Sequence, residues 1–164
     1  MSSRQLTGIF IRQLSAQMFL ICALSATVIA ANVPTGYEKM PWGTELKTVL
    51  KKYPKGFISK TGDNDLIYRQ KNPTANLSQR LFGFKDGKLN VVSTTFVKSY
   101  VKKKGIENIL AEKKKLFGEC AMDTTQAPHM LNCIWENGDT RITIAYAPMR
   151  PDMTILMYDR KPEP

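Results

Sequence analysis

The chain has 164 residues, with 24 Lys and Arg against 14 Asp and Glu, a net charge of +10 at pH 7, and one histidine. That length suffices for one domain with an ordinary hydrophobic core. The lone histidine excludes a multi-histidine metal centre, and the positive charge disfavours a basic enzyme as target, since docking partners carry complementary fields.

Arg4 and Arg12 are the only charged side chains of the first 31 residues, and an apolar run follows from 18 to 30. That run is shorter than the roughly 20 residues of a membrane span. It ends in Val28-Ile29-Ala30-Ala31, small enough for a signal peptidase. Residues 1–31 therefore read as a signal peptide, cut after Ala30 or Ala31, and residues 32–164 as one exported domain, periplasmic or secreted and not membrane-spanning after cleavage. An uncleaved anchor is the competing reading, whereas lipidation at Cys22 is opposed by the bulky Ile21 before it. Cleavage leaves Cys120 and Cys133, a pair expected to form a disulfide in an oxidising compartment. A metal site would have to add His129 and would still have only three ligands, so neither metal nor cofactor is expected.

Along the exported part, Thr44 is read as the N-cap of a first helix. Leu46, Val49, Leu50 and Tyr53 form its apolar stripe, Lys47 and Lys51 its outer face, and Pro54 its end. Strands are expected at 56–59 and 66–70, with Asn72-Pro73 as a loop. Strands at 80–85 and 88–97 flank Asp86-Gly87, a strong two-residue hairpin signal. A second helix is expected over about 103–117, with Ile106, Ile109, Leu110, Leu116 and Phe117 inward and Gly118 as terminator. Strands at 131–136 and 140–146 flank Asn137-Gly138, a loop covers 148–151, and a last strand covers 154–158. The fold class read from this order is α+β: two helix-plus-antiparallel-hairpin repeats, 40–98 and 102–159, with helices packed on one face of an antiparallel sheet. Chance agreement between two ordinary hairpins is the competing reading of the repeat.

Pro41-Trp42-Gly43-Thr44, followed by Leu46 and Val49, resembles the start of many small periplasmic proteins of Gram-negative bacteria, in which a Trp-Gly-Thr/Ser turn opens a short helix. The helix-then-hairpin plan is similar to that of the BamE/SmpA outer-membrane assembly proteins, and its tandem form to β-lactamase inhibitory protein. The resemblance implies this fold and a role in the cell envelope. It carries no functional residue across.

Chemistry is sparse. His129 has no neighbouring acid or nucleophile, and neither a Gly-x-Ser-x-Gly elbow nor a phosphate-cradling glycine loop is present. Asp63-Asn64-Asp65 starts like a calcium loop, but Ile67 takes an oxygen position and the turn glycine is missing. No catalytic residue is assigned and the chain reads as a non-enzyme. Lysines dominate the charge, and Trp42, Lys47, Lys51, Lys103 and Lys114 are the candidate binding residues. They point to an envelope protein or to anionic lipid or lipopolysaccharide, with a solvated face as the bland alternative. Nucleic acid is excluded as partner, because the lysine runs lack the interleaved aromatics that stack on bases. The other function class is a secreted proteinaceous inhibitor of a hydrolase.

Overall fold

A computed structural model describes residues 32–60 and 65–162. The expected signal peptide, Cys22 and most of the Asp63-Asn64-Asp65 turn lie outside the described residues. The elements in order are β1 (Gly36–Tyr37), β2 (Met40–Pro41), α1 (Leu46–Lys52), β3 (Phe57–Lys60), β4 (Asp65–Thr74), β5 (Leu77–Lys85), β6 (Lys88–Phe96), α2 (Lys98–Lys104), α3 (Ile106–Phe117), β7 (Ala121–Asp123), β8 (Leu131–Asn137), β9 (Thr140–Tyr146), a 3-10 turn (Pro151–Met153) and β10 (Ile155–Arg160).

The expectation of two helix-plus-hairpin repeats in an α+β fold is overturned. The described residues are mostly β, 47% strand against 23% helix. β1 and β2 pair as a small two-stranded ribbon, and the other strands form one eight-stranded antiparallel sheet in the order β3-β4-β5-β6-β10-β9-β8-β7. Local signals showed the hairpins but missed how far they extend. The expected strands at 66–70 and 80–85 are longer than read and pair directly as the β4–β5 hairpin, and β10 bonds both to its neighbour β9 and to β6, far away in sequence.

The first hairpin turn follows its chemistry, whereas the second lies one residue later than expected, at Gly138-Asp139, because Asn137 ends β8 paired with Thr140. Asp86 (φ 50°) and Gly87 (φ 72°) both take the left-handed conformation that a two-residue turn of this hand demands. Asn72-Pro73 is not a loop; it lies inside β4, where the register with β5 slips between Lys71 and Thr74. The second helix is two. Gly105 (φ 79°) breaks the chain between α2 and α3, which places the helix start at Lys98, five residues before the expected one. Thr44 is not the N-cap of α1: Glu45 is, and the Thr44 hydroxyl donates to the Pro41 carbonyl at 2.7 Å.

Alternation along the strands divides the sheet into two faces. The inner face carries Tyr68, Phe82, Phe84, Leu89, Val92, Trp135, Ile142, Ile144, Leu156 and Tyr158, all buried, and these form one cluster with Val49 of α1, Val101 of α2 and Ile109 and Phe117 of α3. One charge enters this core. Arg80 lies 4.8 Å from the Tyr53 ring centre and 5.9 Å from that of Tyr37, and its Nη1 donates to Gln70 Oε1 at 3.3 Å. The outer face behaves differently. Phe57, Arg69, Leu81, Ser93, Met157, Thr143, Ile134 and Ala121 pair in one row across all eight strands, and none of them is fully buried.

Candidate anion-binding surface

The three helices are short and amphipathic, so burying Val49, Val101, Ile109 and Phe117, with Leu46, Leu50, Tyr100, Ile106 and Leu110 packed beside them, turns the opposite face of each helix outward. The charged side chains on those faces are mostly lysine. The helices hold ten lysines and only Glu107 and Glu112 as acids, a net charge of +8. The rest of the chain from residue 32 onward has twelve basic and twelve acidic side chains. All the net charge of residues 32–164 therefore sits on the three helices, and the remaining residues are neutral as a set.

Of the candidate binding residues, Lys47 and Lys114 are already engaged. Lys47 Nζ is 3.0 Å from Glu45 and Lys114 Nζ is 2.5 Å from Glu119. The hydrogen bond from Lys47 holds the Glu45 carboxyl below its usual range. Lys51 and Lys103 are exposed and make no ion pair among the described residues. Trp42 belongs to the scaffold: half-buried against the core, its indole N–H donates to the Thr140 hydroxyl at 2.8 Å. Trp135 is likewise internal and donates to the Gly118 carbonyl at 2.8 Å.

Sequence reasoning missed Lys98, which stands one helical turn before Lys102 on α2; both are exposed. The signal was the spacing Lys98, Lys102, Lys103, hidden because the helix was expected to start later. Lys104 bridges Glu112 at 2.5 Å, and its ammonium lies 5.5 Å from the Tyr100 ring centre. Burial lowers the pKa of Lys113, whose like-charged neighbour Lys104 adds to the effect while Glu112 and Glu38 oppose it.

Cys120 and Cys133 form the expected disulfide, with Cα atoms 5.6 Å apart. It fastens the segment after α3 to β8. His129 lies on the exposed stretch between β7 and β8, its amide donating to the Gln126 carbonyl at 2.9 Å. No group of three or more metal-ligating side chains occurs among the described residues. No helix among them is long and apolar enough to cross a membrane.

No family model matches the chain, and no curated protein matches it. Among solved structures it is similar to a cysteine-rich secretory protein of Staphylococcus aureus, at 12% identity and a TM-score of 0.47, over 82% of this chain and 48% of that one. It is also similar to a DUF4309 family protein (YjgB) of Bacillus subtilis, at 14% identity and a TM-score of 0.41, over 72% of this chain and 79% of that one. The chain spans about half the length of the staphylococcal protein.

Proposed function

We propose that this chain is an exported, non-enzymatic protein of the cell envelope that binds an anionic surface, the phosphate-bearing headgroups of phospholipid or lipopolysaccharide, through its helical layer. The observation that carries this reading is the segregation of charge: a net +8 on three short helices and no net charge on the rest of residues 32–164. Solubility alone needs no such sorting, because lysines spread over strands and loops would serve it equally. A concentrated positive layer instead attracts and orients an anionic surface. The disulfide supports an oxidising compartment, as the reading requires.

The test is flotation of the purified protein with vesicles of phosphatidylglycerol and phosphatidylcholine, or with lipopolysaccharide, at low and high salt. Binding to the anionic preparations that high salt abolishes is the expected result. Indifference to both at low salt overturns the reading.

A second reading, a hydrolase inhibitor, draws on the outer face of the sheet, where a row of apolar and polar side chains crosses eight strands. Stoichiometric, salt-resistant loss of one hydrolase's activity on adding the protein is its signature.

A further inference from the structure

The loop between β9 and β10 presents an apolar tip in a fixed conformation. Ala147 is buried, and its carbonyl accepts the Arg150 amide at 2.9 Å, closing a turn with Pro148 and Met149 at its corners. The Met153 amide donates to the Arg150 carbonyl at 2.8 Å, and the Thr154 hydroxyl donates to the Pro151 carbonyl at 2.9 Å. Arg150 grips Asp152 through Nε at 3.3 Å and Nη2 at 3.0 Å. Two prolines restrict the backbone further. Met149 is held outward at 83% exposure and Met153 at 43%.

This loop adjoins the most basic helix. The Phe96 amide, just before α2, donates to the Thr154 carbonyl at 3.0 Å, and the pKa of Asp152 is lowered chiefly by the hydrogen bond from Arg150, with Lys98 adding to it. On its other side, the Val97 amide donates to the Asn76 carbonyl at 2.9 Å, which brings in the β4–β5 turn. Ala75, Asn76, Ser99, Tyr100, Lys103 and Lys104 line an open groove there, of about 490 Å³. One end of the molecule thus combines an exposed methionine tip with Lys98, Lys102 and Lys103.

We infer that this end is the membrane-contacting tip, and that Met149 and Met153 enter the headgroup region of an anionic leaflet while the α2 lysines engage the phosphates around them. The inference rests on the anionic-surface reading and locates its contact. A leaflet fits better than a protein partner. The centres of protein interfaces are depleted of lysine, so the lysines that border this tip, rather than its methionines, are what favour a leaflet. Interfacial membrane binding uses that combination, apolar side chains inserted beneath a basic rim.

The test is flotation of the purified protein with vesicles of phosphatidylglycerol and phosphatidylcholine. M149S is expected to weaken partition roughly tenfold, from the transfer free energy of one methionine side chain. M149W strengthens it, because tryptophan favours the membrane interface. K98Q/K102Q weakens it roughly fivefold per charge, an effect that fades with salt. I58S, which removes an exposed apolar side chain from the edge strand β3, outside the helices, changes nothing. Should the unmodified protein bind and M149S and M149W bind equally well, the tip inference falls and the anionic-surface reading stands. Should the unmodified protein ignore the vesicles at low salt, both fall. Self-association in sedimentation that M149S abolishes, without vesicle binding, overturns the inference in favour of a second copy of the chain.

Discussion

The indole N–H of Trp42 donates to the Thr140 hydroxyl at 2.8 Å, across 98 positions of sequence. Thr140 is fully buried at the start of β9, so this bond ties the turn that enters α1 to the opposite half of the sheet. T140V keeps the volume and leaves the indole without its acceptor. A loss of about 1–3 kcal/mol is expected in urea denaturation. Vesicle binding stays unchanged, since neither residue contributes a cation to the helical layer.

Removing the disulfide tests the second tie. C120A/C133A is expected to cost about 3 kcal/mol, the chain-entropy value for a loop of this length. Reductant should lower the denaturation midpoint of the unmodified protein by a comparable amount and leave that of the double variant where it is.

The lysines divide by their partners. K51Q/K103Q removes two ammonium groups with no ion pair, while K47Q/K114Q removes two already committed to Glu45 and Glu119. The first pair of substitutions is expected to weaken anionic-vesicle binding more than the second, at equal loss of formal charge. Both leave stability within about 0.5 kcal/mol, the ordinary range for surface substitutions. Flotation and urea denaturation on the same preparations separate the two effects.

Asp159 gives a pH dependence. It lies between Val91 and Arg141 in the sheet, with Oδ1 buried and without a hydrogen-bond partner. Burial raises its pKa above the ordinary carboxylate value; Arg141 works against this and Glu136 with it. The folded state therefore prefers the protonated acid. The stability this group contributes is present below its unfolded pKa and is lost as pH rises through its folded pKa. D159N should raise the denaturation midpoint at neutral pH, and the difference should vanish below about pH 3. A stabilisation that is the same at both pH values would contradict this account.

How much of this was legible in the sequence depends on how local each signal is. The turn at Asp86-Gly87 could be read because a two-residue turn imposes its own residues, while Gly138 placed the second turn only to within one residue. The stripe of α1 could be read because Leu46, Val49, Leu50 and Tyr53 repeat at helical spacing. β1, β2 and β7 are two or three residues long and leave no periodic trace. α2 was missed because only Val101 is buried in it. The single sheet was missed because the pairing of β6 with β10 joins residues some sixty positions apart, for instance Thr94 with Leu156. Lysines were legible as a surplus; their confinement to helices needed the helix boundaries. Met149 carried no signal, since its exposure follows from the turn that holds it.

The place of β10 has a consequence for how the chain is made. Its edges complete β6 on one side and β9 on the other, so until residues 155–160 arrive the sheet stays in two pieces, each with an open apolar face. Closure waits until β10 meets β6, a slow step where segments distant in sequence must pair. A chain that cannot finish folding early remains threadable, which is the state that passage through a narrow translocation pore requires.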